Sequence, residues 1–255
     1  MKKTLVATTT LTALFVSASS LAAGIATARF GGEHGNPMDE TPPSIYYNPG
    51  AIGLSKGINI YADGNIALRW ASYEHTANYD TDIPEPADGQ GANAGKGTLQ
   101  NVVAAPMVGA TGQFDLSESL GLAAGAAFFV PFGGSSMWDQ NDSFENHPNY
   151  PGAVDGPNRW YSIHGTIRTL MISGAAALSI SDMIHLGISG GAGLSQIDSL
   201  RARISNGTDD LTYEGRAWVK TNTWHGAIGG GALITPLDNP KDLRIGVSYQ
   251  APPGI

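Results

Sequence analysis

The sequence predicts an all-β protein, an antiparallel up-and-down transmembrane β-barrel. Three observations carry this. Side chains alternate with a period of two over seven segments. Long and short connections between those segments alternate strictly. An export signal stands at the front, and no later stretch is a run of 18 or more apolar residues that would cross a membrane as a helix.

The signal occupies residues 1–22. Met1-Lys2-Lys3 is basic, Thr4 to Ser20 is uncharged and largely apolar, and Ser20-Leu21-Ala22 ends in small residues. Cleavage is expected after Ala22 or Ala23. The chain has no cysteine, so the exported protein has no disulfide framework. Its formal net charge of -8 disfavours a nucleic-acid partner, which asks for a basic face. With 34 glycines and only 14% charged residues, the composition suits many thin strands better than a helical or a disordered chain.

Strands are expected at 57–74, 102–115, 119–132, 160–180, 184–197, 216–235 and 242–251. Ile58, Ile60, Ala62, Ile66, Leu68 and Trp70 share one face of the first, opposite Asn59, Tyr61, Asp63, Asn65 and Arg69. Leu120, Leu122, Phe128 and Val130 share a face of the third. Ile184, Leu186, Ile188, Ala192 and Leu194 share a face of the fifth. Leu243, Ile245, Val247 and Tyr249 do so in the seventh. The fourth breaks step: Tyr161, Ile163 and Ile167 are odd, whereas Leu170, Ile172, Leu178 and Ile180 are even. Either a β-bulge shifts the phase or the inner face is itself apolar there.

The connections after strands one, three and five are long (Thr76 to Gln100, Gly133 to Arg159, Asp198 to Gly215). Those after two, four and six are short: Ser-Glu-Ser at 117–119, Ser-Asp-Met at 181–183, and Pro236 to Asp242. Outer-membrane barrels have this asymmetry, with long loops outside and short turns in the periplasm. Trp70, Tyr73, Trp160, Tyr161 and Trp218 cluster at the long-loop ends, where an interfacial girdle belongs.

Several stretches together resemble the FadL/TodX family of outer-membrane transporters. They are Ile45 to Gly53 (IYYNPGAIG), Leu120 to Trp138 (LGLAAGAAFFVPFGGSSMW), Arg159 to Ser195, and Leu243 to Pro253 (LRIGVSYQAPP). The resemblance implies passage of long-chain fatty acids or other hydrophobic small molecules, with no cofactor. It implies insertion by the barrel assembly machinery and contact with outer-membrane lipid. It makes residues 23–56 an N-terminal hatch that plugs the lumen, with Tyr46, Tyr47, Asn48, Pro49 and Gly50 as its gating turn. Gly50 departs from the Ala usual in the family. The resemblance also implies a kink and lateral opening at Phe129, Pro131, Phe132 and Gly133, and a hydrophobic capture groove at Met137, Trp138 and Phe144. A family barrel has fourteen strands. Residues 57–255 supply seven, so they are read as the first half of a barrel and the sequence as a partial one.

Other chemistry is poorly represented. Pro131 lacks an N–H and is expected to bend or end its strand. No Gly-x-Ser-x-Gly elbow and no His-Glu-x-x-His occurs around His34, His147, His164, His185 or His225, so no catalytic residue is expected. Asp139 to Glu145 offers oxygens at calcium-loop spacing but has Phe144 where glycine is required and Tyr150 where the closing Glu belongs, so no metal site is expected. The competing functional readings are a structural or adhesive surface barrel and an unselective porin.

Overall fold

The computed structural model describes residues 30–76, 85–205, 210–237 and 239–251. The expected signal, and residues 23–29 of the expected hatch, lie outside them. Seven antiparallel strands form one sheet in strict sequence order: β1 Ile58–His75, β2 Gly95–Ser117, β3 Leu120–Met137, β4 His164–Ile180, β5 Ile184–Ile204, β6 Glu214–Ile234 and β7 Ile245–Gln250. The sheet curls into a half-barrel. The connections after β1 and β3 (76–94 and 138–163) are long and those after β2 and β4 (118–119 and 181–183) short, as expected, but those after β5 and β6 (205–213 and 235–244) are of nearly equal length, so the strict alternation does not extend to them. The β4–β5 hairpin has a three-residue loop, Ser181 to Met183, in which Ser181 and Asp182 both have positive φ, near 53° and 52°, and the Met183 N–H closes on the Ile180 carbonyl at 3.1 Å.

The convex face is apolar. On β4 to β6 its even positions include Ile172, Leu178, Leu186, Ile188, Trp224 and Ile228, all exposed. The ten residue steps from Leu170 to Ile180 rise about 25 Å at ~3.4 Å per residue and a ~40° tilt, the height of a lipid-facing band. One row above Leu170, Leu194 and Trp224, the same face turns polar with Arg168, Gln196 and Asn222.

The concave face is seated on the segment 30–56. This plug contains a single α-turn, α1 (Ser44–Tyr47), and a 3-10 helix (Pro49–Leu54). Asn48 lies between them, and its side-chain oxygen accepts the Gly50 N–H at 3.1 Å, capping the second helix while Pro49 fills its first position. Phe30, Ile45 and Ile52 of the plug form one core with Met107, Ala123, Ala127, Phe129, Met171 and Ala177 of the wall. A second apolar cluster (Ala92, Phe144, Tyr150, Ala153 and Leu211) holds the long connections together.

Several strand limits differ from the sequence expectation. β2 begins at Gly95 rather than near 102, and β5 runs to Ile204 rather than 197. The added part of β2 is glycine and polar residues apart from the buried Leu99, whereas the added part of β5 keeps Leu200, Ala202 and Ile204 on alternate positions. β4 begins at His164, so Tyr161 and Ile163 precede it and take no part in its alternation. β4 itself has no bulge: its ladder with β5 is unbroken from His164–Leu200 to Ile180–Ile184. The irregularity lies in β3, whose register against β4 slips one residue between Phe129 and Phe132. Ile167 therefore shares the inward parity of Thr169 and Met171 and is an exposed apolar residue of the inner wall. β3 does not end near Pro131. The bulge at Val130-Pro131 absorbs the missing N–H, and the strand continues to Met137.

Candidate functional site: the plug and the break in the wall

Hydrogen bonds tie the plug to the wall strands. The Asn48 amide donates to the carbonyls of Pro37 at 2.6 Å and Ala232 at 3.0 Å. The Ser179 hydroxyl donates to the Gly53 carbonyl at 2.7 Å, and His185 Nδ1 lies 2.8 Å from the same hydroxyl. Gln250 donates to the Tyr46 carbonyl. Arg244 reaches the Met38 carbonyl at 3.1 Å and pairs with Glu40 at 2.5 Å. On the other side, the Tyr61 hydroxyl donates to the Gly31 carbonyl at 3.3 Å.

Backbone approach is what glycine supplies here. Gly187 and Gly231 are opposite one another on β5 and β6. A Cβ on Gly187 would lie 2.3 Å from the Pro49 carbonyl carbon, and one on Gly231 would lie 2.0 Å from the Asn48 side-chain oxygen. From the plug's side, a Cβ on Gly50 would come within 2.7 Å of the Gly231 carbonyl oxygen. The Asn48-Pro49-Gly50 turn thus sits backbone against backbone. The Gly at 50 is a requirement of this seat rather than a neutral variant of Ala.

Four aromatics fill the far end of the plug. Phe30 stacks on Phe129 with ring centroids 4.8 Å apart and on Tyr47 at 5.2 Å. Tyr46 meets Phe30 and Phe129 edge-on at 5.0 and 5.3 Å. The Tyr47 hydroxyl donates to the Phe30 carbonyl at 2.9 Å. Burial, with Tyr47 alongside, pushes the Tyr46 phenol above its ordinary pKa, so it stays neutral.

Phe129 is also the last residue of β3 that pairs with β2. The β2–β3 ladder runs up from the short turn to Met107–Phe129 and stops. Farther up, the strands meet again only at the bridge between Leu99 and Trp138, with the Asp139 N–H on the Thr98 carbonyl at 2.9 Å. In between, β2 stays paired to β1 and β3 to β4, so the sheet parts along one seam. Pro106 and Pro131 flank the point of parting, and neither has an N–H to offer. Side chains span the seam instead: Asn101 donates to the carbonyl of Ser135 and lies 2.9 Å from its hydroxyl, and Arg69 donates to the same carbonyl at 2.6 Å.

The sequence-derived residues fall as follows. Tyr46, Tyr47, Asn48, Pro49 and Gly50 are in the plug. Phe129, Pro131, Phe132 and Gly133 lie along the seam. Met137 is exposed and Trp138 half-buried at its top, whereas Phe144 is buried in the loop core, beside Gly91 and His147. Phe30, Pro106, Asn101 and Arg69 were not singled out. Pro106 had a signal, a proline inside an alternating strand; Asn101 and Arg69 become visible only through register.

Above the seam the long connections form a firm cap. Arg159 is fully buried, forks onto Glu214 at 2.8 and 3.1 Å, and lies over the Trp160 ring at 4.7 Å. Glu85 accepts the backbone N–H groups of Gly91, Asn93 and Ala94. The Tyr150 hydroxyl donates to Asp88, which with burial raises the Tyr150 pKa. Among the described residues no three metal-ligating side chains converge.

A one-sheet wall with an inner plug and one parted seam defines a partial, plug-bearing β-barrel. The solved structure titled "Crystal structure of a Pseudomonas aeruginosa FadL homologue" shares this fold. It superposes with a TM-score of 0.54 at 18% identity, over 86% of this chain and 49% of that one. The chain thus spans about half the length of the structure it matches. No protein-family model and no curated protein matches the sequence.

Proposed function

We propose that this chain builds the hatch-bearing part of an outer-membrane channel for long-chain fatty acids or similar hydrophobic molecules. Exported through the signal at 1–22 and inserted by the barrel assembly machinery, it takes ligand from an apolar groove near Met137 and Trp138. The ligand enters beside the hatch and leaves sideways between β2 and β3. Burial of acyl chain at roughly 0.8 kcal/mol per CH₂ drives the passive transfer.

One observation carries this reading: the parted seam begins at Phe129, the residue on which the hatch aromatics stack. Unpaired backbone in a lipid-facing wall is costly, so a seam held by side chains alone needs a use. Coupling its lip to the hatch supplies one, because a shift of Phe30 and Tyr46 would free Phe129. The hatch occupying the concave face disfavours an unselective water pore.

The test is to replace Asn101 and Ser135, already in contact, by cysteines in a chain that has none. Palmitate uptake is measured in a host without its own transporter. Oxidation is expected to abolish uptake and reduction to restore it. Full uptake with the crosslink verified on a gel would remove the lateral exit and favour a structural or adhesive barrel.

A further inference from the structure

We propose that Arg168 and Lys220 form a phosphate seat on the outer, convex face of the wall, and that its occupant is an outer-leaflet glycolipid carrying a phosphate monoester. The proposal rests on the outer-membrane reading above and adds a partner to it, on the opposite face from the plug.

Register places the seat. The apolar band ends in the row Leu170, Leu194 and Trp224, which face one another across β4, β5 and β6. The next row up is Arg168, Gln196 and Asn222, and the row above that is Thr166, Asp198 and Lys220. The two cations therefore stand one and two rows above the hydrocarbon rim, at the depth of lipid head groups. Two strands and one row separate their backbones, about 12 Å, a gap that two long side chains can close onto one anion. A convex barrel face points away from the lumen, so closing the sheet leaves it open to lipid.

The positive charge at the seat is only partly spent. Gln196 accepts from Arg168 Nε and holds the guanidinium across the strands. The two amino groups of the fork make no hydrogen bond or ion pair among the described residues, so their N–H donors stand ready for an anion. Lys220 Nζ lies 3.5 Å from Asp198 Oδ2 and over the Trp218 ring at 5.6 Å. Asp198 divides its single charge, because its other oxygen accepts Trp218 Nε1 at 2.7 Å and lies 3.4 Å from His164 Nε2. Arg168 is left without a carboxylate, and the patch is cationic. A phosphate monoester carries about −1.5 to −2 charge and three acceptor oxygens, enough for the Arg168 fork and Lys220 together. A carboxylate offers one charge, and the phosphate of a zwitterionic lipid already has an ammonium of its own. The acyl chains of the bound lipid lie on the rim below, where Trp224 is exposed. The other end of the wall has no matching patch: its short turns carry Glu118, Asp182 and Asp242 against Lys241, and Arg244 is taken by Glu40. Charge thus selects one leaflet.

The experiment folds the full chain into phosphatidylcholine vesicles with a minor share of lipid A, and native mass spectrometry counts the lipid A retained after extraction. Arg168→Gln and Lys220→Gln are each expected to lower retention about five-fold, the worth of one surface cation against anionic lipid, with heat-modifiable mobility unchanged. Lys96→Gln removes the same charge at the long-loop end of β2, opposite Glu74, and is expected to change nothing. An equal loss in all three variants, or no loss in the first two, would overturn the seat. Equal retention of lipid A stripped of its phosphates would do the same. So would full displacement of the lipid by inorganic phosphate at matched ionic strength, which would make a free anion the occupant. A chain that does not enter the vesicles would overturn the outer-membrane reading itself, whereas insertion without selective retention overturns the seat alone.

Discussion

The side-chain amide of Asn48 donates to the carbonyl of Ala232 at 3.0 Å, joining residues 184 positions apart. The same amide holds Pro37 and the same side chain caps the helix that follows. One buried residue therefore fixes the plug's internal turn and its attachment to β6. Replacing it with Ala removes these bonds, each worth roughly 0.5–1.5 kcal/mol. Asn48→Ala is expected to loosen the hatch while leaving the wall intact. Limited proteolysis within 30–56 should speed up, with barrel mobility on a gel unchanged.

Gly50→Ala tests the seat from the plug's side. The added methyl would meet the backbone of β5 and β6 within 3 Å, and wall backbone cannot yield as a flexible side chain does. The larger residue should displace the hatch and raise single-channel leak. A variant with closed channels and normal uptake would show that the seat adapts.

Ile188 and Ser189 are neighbours on opposite faces of the wall. Ile188 stands out from the convex face, and Ser189 shares the inward parity of Gly187, which touches the hatch. Ile188→Arg is expected to cost roughly 2–4 kcal/mol if it lies near the bilayer midplane, falling toward the interface. Ser189→Arg should fold better and obstruct the lumen. Equal destabilisation in folding titrations into bilayers would contradict the assigned faces.

Arg159→Ala would leave the Glu214 carboxylate buried and unpaired. Breaking such a pair from one side costs about 3–5 kcal/mol. The loop cap should loosen and become protease-sensitive between 138 and 163. Replacing both partners together, Arg159→Met with Glu214→Leu, should recover much of the loss.

The strands were legible where one face is apolar and the other small or polar, as at Ile58 to Trp70 and Ile184 to Leu194. Legibility faded at 95–101, where Leu99 stands alone among glycines and polar residues; at 198–204 the alternation of Leu200, Ala202 and Ile204 was present, but the charged Asp198, Arg201 and Arg203 between them read as loop. Pro131 was legible as a disturbance, but its outcome was not. A missing N–H can end a strand or be absorbed in a bulge, and pairing with β4 decides which. Asn48-Pro49-Gly50 announced a turn through local chemistry. Its anchor on Ala232 depends on where β6 lies, which no local pattern encodes.

The attachment of the plug also dictates an order of events in time. Asn48 is made long before Ala232, and Tyr46 long before Gln250, yet each pair must meet. Loop closure over such separations is slow. The glycine pair that receives Pro49 and Gly50 exists as a surface only after β5 and β6 have zipped together. The first part of the described chain to be synthesised is thus among the last to settle. Until it does, Phe30, Tyr46 and Phe129 remain uncovered, and a nascent wall with an open interior is the stage at which a holdase would find its apolar target.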